Sequence, residues 1–520
     1  MKILLIEHPR SINPDRCNDI ANTPLSSCLL SGYAAAALRS KGHDVEILEG
    51  FLDQLTYDQI ASVINAVKPS FVGVHMVYHW KRDEALYNFI TRIKAEFSPY
   101  IAAYGYFPTI APELVLQECA AIDSVLLGEP DETFVELAEA LSSIRDTRSI
   151  KGTAVRDESG KIHRQQRELV KELDSLPFPV RTEALYRIGE VNILGSRGCY
   201  GRCTFCYING FYGQGPVWRS RSPENIIAEI DGIIAAKGKR DFYFTDPNFF
   251  GPGKRGQERA LSLASLLKKR NITFGIEGRV NDIHDNTIEA LADAGLRNIL
   301  IGLESGNNAA LNRMNKMTTV QQNETALQIL RKHGIEPNVG FIMFEPDSSL
   351  PDIRANFEFL GRNSLLKNLP VTANVLYHHQ IVLKGTPAYQ ALAAKGTLVT
   401  PFPGAYEGTA AFSSAEVGAL ASIMRQITNF LFECMSDIWS GRMIDGFDSH
   451  ERYAKANNHL VGVFDATLRS LESGETLSTD ETDSIIRNAC KEIKQSLTVK
   501  EQAGHGAEAD FCSLRETREG

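Results

Sequence analysis

The chain has 520 residues, too many for one ordinary hydrophobic core, so we expect two or three domains. Asp and Glu (64) exceed Lys and Arg (55), and no long basic stripe is present, so neither nucleic acid nor an anionic membrane surface is expected as a partner. The N-terminal apolar run Ile3–Ile6 is far too short for a signal sequence or a membrane span. Nine cysteines, three of them clustered, suit a reducing compartment, and we expect a cytoplasmic protein.

Residues 1–150 alternate short apolar segments with amphipathic ones. The predicted strands are Lys2–Ile6, Asp44–Leu48, Phe71–Met76, Ile101–Tyr104 and Asp123–Leu127. The predicted helices are Ser26–Ser40, Tyr57–Val67, Lys81–Phe97, Pro112–Cys119 and Asp131–Leu141. This alternation predicts an α/β domain with a doubly wound, Rossmann-like parallel sheet that binds ligands at the carboxyl ends of its strands. No Gly-x-Gly-x-x-Gly motif follows Ile6, so the fingerprint of a dinucleotide site is absent.

Residues 151–185 have the composition of a linker. They are charged and poorly periodic, and they end in Leu176-Pro-Phe-Pro-Val-Arg181. Two prolines in three residues favour an extended chain.

Residues 186–400 form a second series of strand–helix units. The predicted strands are Asn192–Gly195, Phe242–Thr245, Thr273–Glu277, Asn298–Leu303, Asn338–Phe344 and Thr372–Tyr377. The predicted helices between them are Pro223–Ala236, Gln257–Arg270, Asp285–Ala294, Val320–His333 and Asp352–Leu360. Six such units are two short of a closed (β/α)₈ barrel, so we predict a six-stranded partial barrel with its chemistry at the carboxyl ends of the strands.

Residues 401–500 are helical by pattern. The predicted helices are Ala415–Trp439, Glu451–Leu471 and Thr482–Leu497. We expect this helical C-terminal region to cap the barrel and to shape a substrate cavity. Residues 501–520 are poor in aliphatic side chains, and we predict a disordered tail.

Three cysteines follow the first predicted strand of the barrel. Cys199, Cys203 and Cys206 lie within eight residues, and Phe205 directly precedes the third. Three thiolates on one loop can ligate three irons of a [4Fe–4S] cluster and leave the fourth iron open for chemistry. The alternative is structural zinc, which prefers four ligands, yet no second close pair follows, and the nearest other cysteines are Cys119 and Cys434.

The pattern Cys-x₃-Cys-x-aromatic-Cys resembles the signature of the radical S-adenosylmethionine (SAM) superfamily. In that family the open iron chelates the amino and carboxylate groups of SAM, and an electron from the cluster releases a 5′-deoxyadenosyl radical that abstracts hydrogen. The cofactors carry the difficult chemistry, while the protein orients them and excludes water and oxygen. The resemblance also implies an electron donor such as flavodoxin or ferredoxin, and a small-molecule substrate.

The same resemblance implies roles for residues at the ends of later strands. Phe205 would lie beside SAM, Asp246 would contact its amino group and Arg279 its carboxylate. Glu304, in Gly302-Leu-Glu-Ser-Gly306, would contact the ribose hydroxyls. A structural ion pair or a helix cap is the alternative for each.

Catalytic residues are not identified by the sequence. Glu345, Tyr377 and His378 follow the fifth and sixth predicted strands, where a side chain can bind substrate or transfer a proton. Surface loops are often rich in such residues, so an ordinary loop position is the alternative.

Two turns of the first domain resemble those of the cobalamin-binding domains that precede many radical SAM enzymes. They are Tyr104-Gly-Tyr-Phe-Pro-Thr109 and Gly128-Glu-Pro-Asp-Glu-Thr133. The resemblance implies that Gly105, Thr109, Gly128 and Glu129 contact cobalamin, with the Gly-Glu turn closing the nucleotide pocket. The alternative is a flavodoxin-like domain without a ligand.

The residues expected near the lower face of the cobalt differ from those of other cobalamin proteins. The motif Asp-x-His-x-x-Gly is absent, and His8 lacks both the preceding Asp and the following Gly. A ligating imidazole normally needs a partner that fixes its tautomer, so His8 is interpreted as an ordinary loop histidine. Cobalamin is therefore expected base-off without a histidine ligand. The loop His75–Trp80 is a candidate neighbour of the cobalt, with an apolar strand end as the alternative.

These observations predict a cobalamin-dependent radical SAM C-methyltransferase acting on an unactivated carbon of a small biosynthetic intermediate. The resemblance implies methylcobalamin as the methyl carrier, regenerated by one SAM, while a second SAM gives the adenosyl radical. The main competing function is a cobalamin-binding radical SAM oxidase, hydroxylase, or ring-forming or rearranging enzyme without methyl transfer. A redox or ligand sensor and a first domain that has lost cobalamin are further alternatives.

Overall fold

The computed structural model describes residues 1–9, 29–76, 83–213, 215–402, 405–435 and 447–497. The predicted tail 501–520, most of the loop His75–Trp80 and the end of the predicted helix Ala415–Trp439 lie outside these residues. Within them, no helix is long and apolar enough to cross a membrane.

The first domain is built on a seven-stranded sheet in the order β2-β1-β3-β4-β5-β6-β7. Its strands are β1 (Lys2–Glu7), β2 (Asp44–Glu49), β3 (Phe71–His75), β4 (Tyr100–Tyr104), β5 (Ser124–Leu126), β6 (Thr153–Arg156) and β7 (Ile162–Gln165). Its helices are α1 (Leu30–Ser40), α2 (Tyr57–Val67), α3 (Glu84–Phe97), α4 (Tyr106–Ile110), α5 (Pro112–Glu118) and α6 (Asp131–Ser142). The first five strands are parallel, which confirms the predicted doubly wound sheet.

The central strands of this sheet are apolar because helices cover both faces. Leu4, Leu5 and Ile6 of β1 are fully buried, as are Val72 and Val74 of β3. Continuous apolar runs of this kind are typical of parallel strands. The predicted linker 151–185 is partly regular, since β6 and β7 form an antiparallel hairpin that extends the sheet beyond β5.

The second domain has a parallel sheet of five strands in the order β14-β13-β12-β11-β8. Its strands are β8 (Val191–Ile193), β11 (Asp241–Phe244), β12 (Thr273–Arg279), β13 (Leu296–Glu304) and β14 (Asn338–Phe341), and a separate hairpin pairs β9 (Ser196–Gly198) with β10 (Trp218–Ser220). Its helices are α7 (Glu183–Arg187), α8 (Ile208–Tyr212), α9 (Pro223–Lys237), α10 (Gly253–Leu267), α11 (Asp285–Asp293), α12 (Asn308–Arg313), α13 (Val320–Lys332) and α14 (Leu350–Arg362). The strand–helix order of a partial barrel is confirmed.

The sixth predicted strand, Thr372–Tyr377, is wrong. These residues lie in helix α15 (Leu369–Tyr377), which begins after Asn368 with Pro370 in its first turn. The Asn368 side chain accepts a hydrogen bond from the Val371 N–H, as an N-cap residue does. A single parallel bridge between Phe344 and His379 stands at the position expected for a sixth strand.

The C-terminal region is helical, as predicted, but a small sheet precedes the helices. The sheet has the order β15-β17-β16 and comprises β15 (Val382–Leu383), β16 (Leu398–Val399) and β17 (Glu407–Ala410), with α16 (Pro387–Lys395) between its strands. The helices are α17 (Ala415–Cys434), α18 (Phe447–Glu472) and α19 (Thr479–Leu497). Buried side chains of these helices, such as Leu420 and Phe464, belong to the same hydrophobic core as the barrel strands. The helices therefore pack against the barrel and complete its core.

Candidate active site

A cavity of about 260 Å³ lies where the two domains meet. Leu30, Tyr106 and Glu129 line it from the first domain. From the second domain it is lined by the cysteine loop and by residues at the carboxyl ends of the barrel strands. The cysteine loop and Glu129 of the predicted cobalamin turn therefore face one space.

The cysteine loop begins at a turn that requires glycine. Gly198 has φ +82°, and a Cβ there would stand 2.0 Å from the Val217 carbonyl oxygen in the chain segment opposite. Cys199, Cys203 and Cys206 follow this turn, and all three line the cavity together with Phe205. The loop thus presents its three thiols and one aromatic ring to the same space.

The three thiols are the candidate ligands of the predicted cluster. As the side chains stand, no group of three or more His, Cys, Asp or Glu among the described residues is placed to hold a metal ion. Burial, followed by the neighbouring Cys203 and Cys199, raises the pKa of Cys206 to about 12, and burial also raises the pKa of Cys199. Because burial opposes ionisation of Cys199 and Cys206, a cationic group such as iron would be needed to hold them as thiolates.

Arg279 lies against the cysteine loop at the end of β12. Its Nη1 is 3.3 Å from the Cys203 Sγ, its Nη2 donates to the Lys316 carbonyl, and its Nε is 3.3 Å from Asn281 Oδ1. The residue is 6% exposed and lines the cavity. A guanidinium at this distance stabilises negative charge on sulfur as well as on an anionic ligand in the cavity.

Glu304 is held on the cavity wall in a strained conformation. Its φ is +62°, which is rare for a residue other than glycine, and the register of β13 and β14 shifts at this point. Its Oε1 accepts a 2.7 Å hydrogen bond from the Lys316 Nζ, and both residues are buried. A Cβ at Gly302 would stand 2.2 Å from this oxygen. Such strain is often found where a side chain is fixed for function.

Asp246 does not line the cavity, although its neighbours Thr245 and Pro247 do. The carboxylate is fully buried, and its Oδ1 accepts a 2.6 Å hydrogen bond from the Gly195 N–H beyond the end of β8. Burial raises the pKa of Asp246 to about 6, against the opposing effect of Arg259. The described contacts are structural, and contact with SAM remains a prediction.

The three catalytic candidates that follow the barrel strands occupy different environments in the structure. His378 lines the cavity, as does Asn374 one helical turn earlier in α15. Tyr377 is 2% exposed and packs against Phe432, and it does not line the cavity. Glu345 is also absent from the cavity wall and forms an ion pair with Arg313. Glu345 therefore has the contacts of an ordinary loop residue, which was the alternative to a catalytic role.

Glu277 is a cavity residue to which the sequence assigned no role. It lies in β12, lines the cavity and is 3.2 Å from the Tyr243 hydroxyl, which donates a hydrogen bond to its Oε1. Burial raises its pKa from an ordinary value of 4.5 to about 8, although the hydrogen bond from Tyr243 opposes this shift. Near neutral pH this carboxyl group is therefore largely protonated and can donate a hydrogen bond into the cavity.

The raised pKa of Glu277 predicts a pH dependence of stability. The neutral acid is favoured in the folded protein, so its contribution is complete below pH 4.5 and is lost as the pH rises towards 8. Glu277→Gln keeps the neutral form, and we expect the wild type to lose roughly 3 kcal/mol relative to this variant between pH 5 and pH 8. Anaerobic unfolding in urea at several pH values measures the difference, and parallel pH profiles would contradict it.

The two predicted cobalamin turns are joined by Thr109. Its hydroxyl donates to the Gly105 carbonyl (2.7 Å) and accepts from the Gly128 N–H (3.0 Å). Thr109, Gly128 and Glu129 line a second cavity of about 240 Å³, which the predicted linker and α8 complete. Gly105 does not line either cavity, and a Cβ there would stand 2.4 Å from the Met76 carbonyl oxygen, so contact with β3 explains the glycine.

His8 and His75, the histidines near the carboxyl ends of β1 and β3, each have a ring nitrogen close to an oxygen atom of the protein. His75 is fully buried, with its Nδ1 2.8 Å from the Glu7 carboxylate. The His8 Nδ1 lies 2.8 Å from the Pro9 carbonyl oxygen. Residues 77–80 of the candidate lower-face loop lie outside the described residues.

Comparisons with known proteins agree with this two-domain arrangement. A family model of the B12-binding domain matches residues 31–138, and a model of the radical SAM superfamily matches residues 193–360. The chain is 28% identical over 372 residues to the uncharacterized methyltransferase PH0819 of Pyrococcus horikoshii, covering 69% of this chain and 77% of that protein. It is 26% identical over 335 residues to the anaerobic magnesium-protoporphyrin IX monomethyl ester cyclase of Rubrivivax gelatinosus, covering 60% of this chain and 58% of that protein.

A solved structure has the same fold over nearly the whole chain. It is that of the cobalamin-dependent S-adenosylmethionine radical enzyme OxsB with aqua-cobalamin and S-adenosylmethionine bound, and it aligns with a TM-score of 0.69 at 20% identity, covering 95% of this chain and 84% of that one. The two family models, with the cysteine loop and the shared cavity, account for the cofactors: a [4Fe–4S] cluster, SAM and cobalamin. The chain is therefore a radical SAM enzyme with a B12-binding domain.

Proposed function

We propose that this enzyme is a C-methyltransferase that moves a methyl group from SAM to an unactivated carbon of a small biosynthetic intermediate. The observation that carries the proposal is the single cavity, which the three thiols line from one side and the first domain from the other. Methyl transfer through cobalamin needs both cofactors within reach of one substrate, and a shared cavity gives that proximity. The similarity to a protein named as a methyltransferase supports this function.

Five residues are proposed to bind the cluster and the SAM next to it. Cys199, Cys203 and Cys206 would hold the irons, and Phe205 would lie beside the open position. Arg279 would stabilise charge on the cluster and on the SAM carboxylate, since its guanidinium is 3.3 Å from one ligand sulfur. When bound, the cluster, SAM and cobalamin supply the electron, the hydrogen-abstracting radical and the methyl group.

Glu304 and Asp246 are proposed to act on SAM in different ways. Glu304 is on the cavity wall, where its carboxylate can accept hydrogen bonds from ribose hydroxyls while Lys316 compensates its charge. Asp246 would act indirectly, because it fixes the Gly195 backbone and lies between two residues that do line the cavity. Glu277, as a neutral acid, would donate a hydrogen bond to whichever ligand lies above β12.

Thr109, Gly128 and Glu129 are proposed to bind cobalamin, and Gly105 would act indirectly, because it lets the turn pass close to the Met76 carbonyl. The second cavity adjoins the turn at Gly128 and suits the nucleotide part of a base-off cobalamin. Thr109 would hold the two turns at a fixed separation through its two hydrogen bonds. A reducing partner of the flavodoxin or ferredoxin class would supply electrons to the cluster.

Gly128→Ala is expected to weaken cobalamin binding by about tenfold. Gly128, with φ +68°, lines the second cavity, and the new Cβ would stand 3.1 Å from the Phe211 carbonyl oxygen of α8, so the turn must shift away from the position that binds cobalamin. A shift that costs about 1.4 kcal/mol in binding corresponds to tenfold in affinity. Titration with hydroxocobalamin, followed by absorbance, measures the effect. Gly160→Ala is the control, because Gly160 also has a positive φ (+85°) but has no atom within 4 Å of its Cβ position. Equal affinities for both variants would contradict the proposed site.

A ring-forming enzyme without methyl transfer is the second candidate. The similarity to the cyclase of Rubrivivax gelatinosus favours it, because that protein is named for ring formation. In both functions the chain's residues would bind SAM and exclude water in the same way, so residue positions do not separate them.

Incubation with SAM carrying a deuterated methyl group separates the two functions. Reconstituted enzyme, reductant and a small-molecule extract of the source cells are combined without oxygen, and new compounds are sought by mass spectrometry. A compound that gains the deuterated methyl group on carbon supports methyl transfer. A compound that is oxidised or cyclised, with 5′-deoxyadenosine formed but no label gained, would show the second function instead.

A further inference from the structure

We propose that Arg197 and Arg219 are positioning residues that fix the cobalamin-binding turn against the cysteine loop and thereby set the distance between the two metal centres. Together with their partners Asp131 and Glu129 they form what is called here the interdomain clamp. The proposal rests on the cofactor sites assigned under the proposed function. Arg197 and Glu129 also line the shared cavity, whereas Arg219 and Asp131 do not line it, so Arg219 tests the positioning role without a cavity contact.

The arginines of the clamp belong to the hairpin that carries the cysteine loop. Arg197 in β9 and Arg219 in β10 are directly opposite each other in the antiparallel register. Opposite residues of such a pair extend from the same face, so the two guanidinium groups leave the hairpin side by side. Arg197 is two residues before Cys199, and any shift of the hairpin would therefore move the first thiol.

The carboxylates of the clamp belong to the cobalamin-binding turn. Arg197 donates from Nη1 and Nη2 to the two oxygens of Asp131 at 2.7 and 3.1 Å. Arg219 donates in the same two-pronged way to the oxygens of Glu129 at 3.0 and 2.7 Å. Side-chain exposure is 3% for Arg197, 1% for Asp131, 5% for Glu129 and 10% for Arg219, so water does not compete strongly for these contacts.

Two further contacts hold the clamp in place. The Arg197 guanidinium lies 4.7 Å from the ring centroid of Tyr33 in α1, which is a favourable cation–π distance. Asp131 is the first residue of α6, where a carboxylate interacts favourably with the helix dipole. Both partners of the buried pair are therefore oriented before they meet.

The clamp is better suited to fixing the distance between the hairpin and the turn than to stabilising the fold alone. Buried ion pairs add little net stability over apolar side chains of the same size, but the planar guanidinium–carboxylate fork fixes both distance and angle. Glu129 lines both cavities, so the clamp stands between the proposed nucleotide pocket and the cysteine loop. A displacement of about 1 Å between reacting groups can cost roughly 100-fold in rate, so a fixed separation of the centres matters for the reaction.

The experiment measures the separation directly in holoenzyme. Cob(II)alamin and the reduced cluster are both paramagnetic, and pulsed electron paramagnetic resonance reports their distance distribution. Arg219→Lys and Arg197→Lys keep the charge but remove the fork. We expect both variants to retain cluster and cobalamin, with a shifted or broadened distance distribution and a kcat lower by about 10- to 100-fold at an unchanged KM for SAM.

Arg270→Lys is the matched control. Arg270 forms a similar fork with Asp231 (2.7 Å for both contacts) but on the exposed surface, and it should leave the distances and kcat unchanged. An unaltered distance distribution in the clamp variants would overturn the proposal, as would loss of cobalamin from folded Arg219→Lys. Wild-type protein that binds no cobalamin or no cluster would instead overturn the proposed function.

Discussion

Replacing any one of Cys199, Cys203 or Cys206 with alanine is expected to lower SAM cleavage by ~10³-fold or more. All three thiols line the cavity, and a cluster with two protein ligands would lose the fixed geometry that leaves one iron open for SAM. The production of 5′-deoxyadenosine by anaerobically reconstituted protein measures the loss, together with iron content. The effect should be the same for each cysteine because the ligands act as one unit.

Cys490→Ala is the control for these variants. Cys490 is a half-buried cysteine in α19, and it does not line the cavity. The control should retain iron and activity. SAM cleavage that survives in an alanine variant of the cysteine loop would mean that its thiols do not hold the cluster.

Arg279→Met is expected to lower the reduction potential of the cluster by about 60 to 130 mV. The guanidinium lies 3.3 Å from the Cys203 sulfur, and the reduced cluster carries more negative charge than the oxidised one. A hydrogen bond to a charged group contributes roughly 1.5–3 kcal/mol, which for one electron corresponds to that range of potential. A cluster with a lower potential is harder to reduce. SAM cleavage in the variant should therefore slow most when the reductant is weak.

Redox titration followed by electron paramagnetic resonance measures the potential. Arg279→Lys keeps a positive charge near the sulfur and should show a smaller shift. If Arg279→Met left the potential unchanged but weakened SAM binding, the arginine would act on the SAM carboxylate alone.

The sequence predicted the strand–helix order well because apolar strands and capped helices leave local signals. The sixth barrel strand was the clear failure. Thr372–Tyr377 is rich in residues that favour strands, yet Asn368 and Pro370 form a helix start just before it. The start signal and the packing of the helix on the core outweighed strand propensity.

Side-chain direction at the strand ends was harder to predict than strand position. Asp246 and Glu277 both lie at the expected edge, but Asp246 turns to the Gly195 backbone while Glu277 lines the cavity. Which side chain faces inward depends on register and on the local turn, and neither is encoded by composition. Glu277 was detectable only through its position two residues before Arg279.

The contacts between domains left no local signal in the sequence. Arg219 and Glu129 are 90 residues apart, and nothing near either one indicates the other. Glu345 shows the converse. Its position after a strand suggested chemistry, but it forms an ion pair with Arg313 at the end of helix α12, which is a structural contact. Pairings of this kind depend on the tertiary fold.

Methyl transfer from SAM to cobalamin can be measured without knowledge of the substrate. Reconstituted enzyme is loaded with hydroxocobalamin, reduced without oxygen and given SAM with a deuterated methyl group. If cobalamin carries the methyl group, S-adenosylhomocysteine forms in an amount close to that of the bound corrin, and the deuterated methyl group is recovered in the corrin fraction. Formation of 5′-deoxyadenosine without S-adenosylhomocysteine or labelled corrin would contradict methyl transfer through cobalamin.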